Sequence, residues 1–268
     1  MTERLGAWSN APLAYVLAEV RTEQLADIKN YLPAIGGRLR DEFPIQRRLQ
    51  SVKFVAMNSQ PMMTADQEES WEYATPDNRI AAIFRTNGIV LHATSYTDSQ
   101  DFLQRLARLV DVLVNEVPAV FCSQLGLRYV DFVLPRDNET PEQYMDSRLN
   151  ADLGLSDDSK GARFTTISSY NKDNGTLSLR YARGMGQPQL PPDIAGVALK
   201  PSPLMKSEHG KELGPTSVLD TDRIFVYSSP ERIEKADVMT KFQQMKADIK
   251  QAFTAATTKF ARSIWNPK

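Results

Sequence analysis

Two acidic residues stand where they could do chemistry. Glu19 follows Leu13-Ala14-Tyr15-Val16-Leu17-Ala18, and Asp131 follows Leu125-Gly126-Leu127-Arg128-Tyr129-Val130. Strand side chains alternate with period two, so Leu13, Tyr15, Leu17 and Glu19 share one phase, as Leu125, Leu127, Tyr129 and Asp131 do in the second run. If the two runs are equivalent strands beside a pseudo-twofold axis, the carboxylates approach each other with Arg21 or Arg128 nearby. Such a pair would share a proton, bind a divalent ion or serve as general acid and base. Glu19 and Asp131 are therefore the candidate catalytic residues, and Arg21, Arg128 and Tyr129 the candidate binding residues. The competing reading is structural: each acid ends a buried strand segment and is neutralised by a neighbouring arginine.

Other chemistries lack their parts. Cys122 is the single cysteine, and His92 and His209 are the two histidines. That is too few thiols for an intrachain disulfide and too few soft ligands for a four-ligand zinc site. Cys122 lies in Ala119-Val120-Phe121-Cys122, where a thiol behaves as a small hydrophobe. No G-x-S-x-G elbow, serine-acylase S-x-x-K set or H-E-x-x-H motif occurs. Arg183-Gly184-Met185-Gly186 supplies G-x-G without the third glycine and leads into prolines instead of a helix N-terminus, so neither phosphate-cradling fingerprint is met. No metal and no cofactor is expected.

These residues need a scaffold, and hydrophobic periodicity outlines one. Pro12–Arg21 reads as a strand. Leu25, Ile28, Leu32, Ile35, Leu39 and Phe43 then recur at spacings of three and four, an amphipathic helix that Pro33 should kink or restart and Pro44 should end. Leu49–Asn58, Trp71–Thr75, Arg79–Arg85 and Gly88–Tyr96 read as strands, the last two joined by an Asn87-Gly88 hairpin turn. Asp98 caps a helix whose stripe is Phe102, Leu103, Leu106, Leu109, Val110, Leu113 and Val117.

The order then repeats. A strand covers Phe121–Pro135, and Thr140-Pro141-Glu142-Gln143 is a capping box opening a short helix. Gly161–Tyr170 and Thr176–Ala182 flank an Asn174-Gly175 turn, and Arg223–Ser228 is the last strand. A helix from Ser229-Pro230 to about Trp265 carries Val238, Phe242, Met245, Ile249, Phe253, Phe260 and Ile264 on one stripe. The predicted class is α+β, with two β-α-β-β-β(-β)-α halves at residues 1–120 and 121–268. That element order is similar to the pseudo-twofold, TATA-binding-protein-like antiparallel sheet with helices on one face. Two independent domains joined at Pro118–Val120 are the alternative.

Residues 183–217 hold six of the sixteen prolines and five of the thirteen glycines, too many for regular structure. Leu190, Ile194, Val197, Leu199, Leu204 and Met205 should anchor this long loop over a sheet face or a partner; the alternative is a mobile insertion.

The opening Asn10-Ala11-Pro12-Leu13, leading into a strand that ends Glu19-Val20-Arg21, and the central Gly126-Leu127-Arg128-Tyr129-Val130-Asp131 resemble a patchily distributed family of uncharacterised prokaryotic proteins of about this length. The separation of the two motifs and the long final helix fit the same pattern. In that family Asn commonly stands at the position of Asp131. The resemblance implies the fold and a prokaryotic origin, and no activity.

The 32 basic and 33 acidic residues leave a formal charge of -1, so no overall field draws the chain to nucleic acid or an anionic membrane. Local basic groups remain at Arg38, Arg40, Arg47 and Arg48 and at Lys241, Lys246, Lys250 and Lys259. The lysines are interleaved with Asp237 and Asp248 in the manner of a solvated helix face. A 41 % apolar and 24 % charged composition excludes global disorder, collagen and a coiled-coil rod. Residues 1–10 lack an apolar signal core, and no stretch approaches the ~18 apolar residues of a membrane span. A soluble, cytoplasmic protein without membrane association is expected. The functional expectation is an interaction or ligand-sensing protein, working with a protein partner or as a homo-oligomer. The alternatives are a carboxylate-dependent enzyme using Glu19 and Asp131, and a nucleic-acid-binding module.

Overall fold

Alternation of apolar side chains decides the architecture. Strand β1 (Leu13–Thr22) buries Val16, Ala18 and Val20 on one side and Tyr15 on the other. Strand β6 (Phe121–Val133) likewise buries Leu125 and Leu127 against one layer and Val130 and Phe132 against another. Strands apolar on both faces belong in the middle of a sheet that is covered twice. Accordingly β1 and β6 pair antiparallel, with Leu17 opposite Arg128 and Glu19 opposite Gly126.

The computed structural model describes residues 8, 10–25, 27–54, 65–152, 163–196, 198–202, 204 and 214–266. Outward from β1 lie β5 (Gly88–Ala93), β4 (Ile80–Arg85), β3 (Ala65–Ala74) and β2 (Ile45–Phe54). Outward from β6 lie β9 (Pro215–Arg232), β8 (Gly175–Met185) and β7 (Phe164–Asn171). The nine strands among the described residues form one open antiparallel sheet, ordered β2-β3-β4-β5-β1-β6-β9-β8-β7. The α+β class is met, and strands from residues 1–120 and 121–268 share this single sheet. The two sides differ in content among the described residues: a 12-residue helix follows β1, and a four-residue helix and a 3₁₀ turn follow β6.

The helices cover one face. Helix α1 (Ile28–Leu39) buries Ile28, Leu32, Ile35 and Leu39, and α2 (Ser99–Glu116) buries Phe102, Leu103, Leu106, Leu109, Val110, Val112 and Leu113. At roughly 1.5–3 kcal/mol per fully buried side chain, the α2 stripe alone contributes on the order of 10 kcal/mol before entropy is subtracted. Asp98 caps α2 as expected, accepting from Gln100 N and Asp101 N at 2.8 Å each. Helix α3 (Pro141–Tyr144), α4 (Lys235–Ala256) and α5 (Lys259–Trp265) complete the layer, with Tyr144, Phe253 and Trp265 packed together. Among the described residues no helix is long and apolar enough to cross a membrane.

Three local expectations change. Helix α1 runs through Pro33 without a break, because a proline in its second turn forfeits only one intrahelical bond, to Lys29. β9 runs on through Ser229-Pro230 to Arg232. The register with β6 jumps between Cys122 opposite Glu231 and Gln124 opposite Val226, so Pro230 falls in a bulge that needs no ladder donor. The final helix breaks after Ala256: Thr257 bridges to Met145, and Thr258 accepts from Ala261 N to start α5. Phe260 is consequently exposed and lies off the stripe.

On the opposite face lie residues 187–196, 198–202 and 204 of the segment between β8 and β9, here called the strap. Leu190, Ile194 and Leu204 pack on Tyr15, Val130 and Phe132, and Leu199 packs on Ala74 and Ala81. Its backbone is tied down at the far side. Lys200 N donates to Asn78 O at 2.8 Å, and Lys200 O accepts from Thr94 Oγ1 at 2.6 Å. Ala198 O accepts from Asn78 Nδ2 at 3.0 Å, and Pro201 O from Arg79 at 3.3 Å. Val197, Met205 and His209 lie outside the described residues.

The Asn87-Gly88 turn is as expected, and Gly88 is required there: its φ is +139° and a Cβ would stand 2.2 Å from Val20 O of the central strand. Gly88→Ala should therefore cost ~2 kcal/mol or more in urea unfolding. Gly37→Ala, in α1 with nothing within 4 Å of the added carbon, should be neutral or stabilising by up to ~1 kcal/mol.

Candidate functional site

The central pairing keeps Glu19 and Asp131 apart. Glu19 lies opposite Gly126, whereas Asp131 lies opposite Leu13. Six residues separate Glu19 from Leu13, about 20 Å at roughly 3.3 Å per residue. An irregularity between Leu13 and Tyr15 also breaks the phase of β1, so Glu19 points to the strap face while Asp131 follows Tyr129 on the helix face. The paired-acid site is not formed. Adjacent antiparallel strands run their registers in opposite directions, so residues that match in sequence order from each strand's start end up at opposite ends.

Glu19 has the neighbours that a structural carboxylate needs, Arg21 at 3.4 Å and Arg85 at 3.5 Å. Arg128 is the hub of the strap face. It grips Asp220 with two parallel bonds, Nε to Oδ1 and Nη2 to Oδ2, both 2.8 Å, and donates to Asp193 of the strap from Nη1 and, at 3.2 Å, from Nη2. The Arg128 guanidinium holds the Asp193 carboxyl below its usual range. Burial pushes neighbouring Asp222 up to about 6 despite the same guanidinium. Arg128 thus clasps strap to sheet and is not a vacant anion receptor.

A second buried network lies under the strap, unseen in the sequence reading. Tyr15 Oη and His92 Nδ1 are 3.1 Å apart, and His92 Nε2 stands 3.7 Å from Glu72 Oε1, just beyond hydrogen-bond distance. Glu72 Oε2 accepts from Arg47 at 2.8 Å, and Arg47 also donates to Asn78 at 2.7 Å. Burial raises the Glu72 pKa, but His92 and Arg47 outweigh it and the net shift is downward. Glu72 thus faces the Arg47 charge, while its Oε1 and His92 Nε2 are buried side by side without a hydrogen bond.

The helix face holds the exception. Tyr129 packs edge-on against Tyr96 with centroids 6.0 Å apart and hydroxyls 3.3 Å apart, and both rings are partly exposed. Burial pushes the Tyr129 phenol up to about 12, so it stays neutral. Lys246 donates to Ser99 Oγ at 2.9 Å beside them. Asp131, only 5 % exposed, makes no hydrogen bond or ion pair, and burial followed by the negative charge of Asp220 pushes its pKa up to about 8. Across the ladder Asp131 faces Leu219, flanked on β9 by Ser217 and Thr221 on the same face. Both hydroxyls are buried and unbonded; Tyr181 stands beside Ser217 but outside hydrogen-bond geometry.

The remaining candidates are accounted for by packing. Cys122 is buried in the helix-side core and its thiol is pushed up to about 12 by burial, while His92 lies on the other face. Arg38, Arg47 and Arg48 are ion-paired to Glu116, Glu72 and Glu69, and Lys241 sits over the Phe225 and Tyr227 rings beside Asp237. Among the described residues no group of three or more His, Cys, Asp or Glu is placed to hold a metal ion. No protein-family model matches the chain, and neither does any curated protein.

Two outcomes follow from this electrostatic layout. Asp131 titrates near 3.8 when unfolded and about 8 when folded, so its contribution to stability falls as pH rises through that window. Asp131→Asn should therefore gain on the wild type from pH 4 to pH 9, reaching ~2 kcal/mol or more in urea unfolding; a constant gap would refute the assignment. Arg128→Ala strands Asp220 in the interior and should cost about 3 kcal/mol at neutral pH by the same measurement.

Proposed function

We propose that this protein is a ligand-sensing protein whose ligand is met on the helix face by Tyr96, Tyr129 and Asp131. One observation carries the reading. Among the described residues every other buried ionic side chain faces an opposite charge: Glu72 with Arg47, Asp220 with Arg128, Arg183 with Glu142, Arg223 with Asp248, and His92 beside Glu72. Asp131 alone has none. A buried carboxylate without a partner costs several kcal/mol, which folding has no reason to retain unless the group meets something else. Partly exposed tyrosines at its rim suit a small organic molecule, since they present an apolar ring and a polar tip.

The competing functions have less support. An enzyme built on Glu19 and Asp131 needs the two acids together, and they lie on opposite faces. Nucleic-acid binding needs a free basic surface, whereas most of the expected arginines are engaged by carboxylates. Self-association or a protein partner remains compatible with a sensor, whose output must reach another molecule.

A thermal-shift screen of small charged and polar metabolite-like compounds at pH 8 tests the reading. At least one compound should raise the melting temperature of the wild type and leave that of Asp131→Asn unchanged. A screen in which every hit acts equally on both proteins overturns it.

A further inference from the structure

The turn between β7 and β8 fixes which backbone groups of β7 are left over. Lys172 N donates to Gly175 O at 2.9 Å across Asp173 and Asn174, both of positive φ, as a two-residue hairpin turn requires. Lys172 and Gly175 are therefore a hydrogen-bonded pair, and such pairs recur at every second residue of an antiparallel ladder. Tyr170, Ser168, Thr166 and Phe164 share that phase, opposite Leu177, Leu179, Tyr181 and Arg183 of β8. Thr165, Ile167, Ser169 and Asn171 stand in the other phase, so their N–H and C=O groups point away from β8. Among the described residues no strand lies beyond β7, which ends the sheet. An edge of this kind is a template for a further strand.

The side chains of β7 decide which strand fits. Phe164–Asn171 contains no charged residue and no proline, two of the devices that guard an edge, whereas β2 at the opposite edge carries Arg47, Arg48 and Lys53. Ile167 is 62 % exposed and Tyr170 57 %, the two most exposed large hydrophobic side chains among the described residues. Residues directly opposite in a ladder share a face and touch. In a two-fold antiparallel pairing centred on Ile167, that residue meets the second copy's Ile167, Thr165 meets the second copy's Ser169, and Phe164 meets the second copy's Tyr170. Thr165, Ile167 and Ser169 are also residues whose backbone groups point outward, so the same register completes their hydrogen bonds. Phe164 already packs on Tyr181 with centroids 5.8 Å apart, and the incoming Tyr170 would extend that aromatic row. Neighbouring registers set Ile167 against Thr165 or Ser169 instead and leave the apolar groups unmatched. We infer that β7 is an interface for a second copy of this chain, joining two sheets antiparallel about Ile167. An edge of eight residues falls short of the roughly 20–30 residues a side of a standard interface, so the dimer is a weak one, in the micromolar range.

Sedimentation velocity of the full chain from about 1 μM to about 500 μM tests the interface. The wild type should pass from monomer to dimer over that range. Ile167→Lys and Ile167→Glu each set like charges face to face across the axis, and each should weaken the dimer roughly tenfold or more. Because Ile167 is largely exposed, both variants should keep the wild-type circular dichroism spectrum. An equimolar mixture of the two sets Lys against Glu and should form dimers at concentrations where each alone is monomeric, a recovery that two misfolded chains would not give. A wild type that stays monomeric throughout, or a dimer that both variants leave unchanged, overturns the proposal. A mixture that stays monomeric overturns the pairing of Ile167 with itself.

Discussion

The antiparallel pairing of β1 with β6 is the constraint on which the remaining structure depends. Both strands are apolar on two faces, and such strands are stable only where each face is covered. One cover is helical, assembled from α1, α2 and α4 over Val16, Ala18, Val20, Leu125 and Leu127. The other is the strap over Tyr15, Val130 and Phe132. An irregular segment can serve because its apolar side chains are few and widely spaced. Polar groups of its backbone at Ala198, Lys200 and Pro201 are bonded to Asn78, Arg79 and Thr94 around β4 and β5.

Covering both faces of the central strands forces their polar residues into the interior, and the two faces resolve this differently. Under the strap the solution is charge pairing: Arg128 with Asp220 and Asp193, Arg47 with Glu72, and Tyr15 next to His92. These contacts hold the strap in place as well as neutralising the strands, since Asp193 belongs to the strap and Asn78 binds both Arg47 and Ala198. Above the sheet, under the helices, the cores around Leu127 and around Val133 are separated by the polar row of Tyr129, Asp131, Ser217 and Thr221. That row has no internal counter-charge.

The contrast gives the Gly126-Leu127-Arg128-Tyr129-Val130-Asp131 stretch a physical meaning, residue by residue. Gly126 lies opposite Glu19, and a methyl added there would meet the Glu19 Cβ at 3.7 Å, an ordinary van der Waals contact. Leu127 and Val130 supply the two cores, and Arg128 clasps the strap. Tyr129 and Asp131 belong to the polar row on the helix face. One strand thus serves both covers and the candidate site together, because alternate residues answer to different faces.

Much of the architecture was legible in the chain alone. Runs of strand-forming residues marked part of each of the nine strands among the described residues, spacings of three and four marked the main helices, and Asn87-Gly88 and Asn174-Gly175 marked tight turns with left-handed backbone. These are local signals, carried by residues close in sequence. The tertiary structure alone decided the rest. The irregularity beside Ala14 turned Glu19 to the strap face, and antiparallel register moved Asp131 to the other end of the pairing. The Met145 bridge at Thr257 divided the last helix, and the bulge of β9 carried a strand through Pro230. Glu72, between Trp71 and Tyr73, is buried against Arg47 of the neighbouring strand and His92. Local periodicity states which side chains share a face. Which face is covered, and which charge meets which, depends on contacts between distant segments that no local pattern encodes.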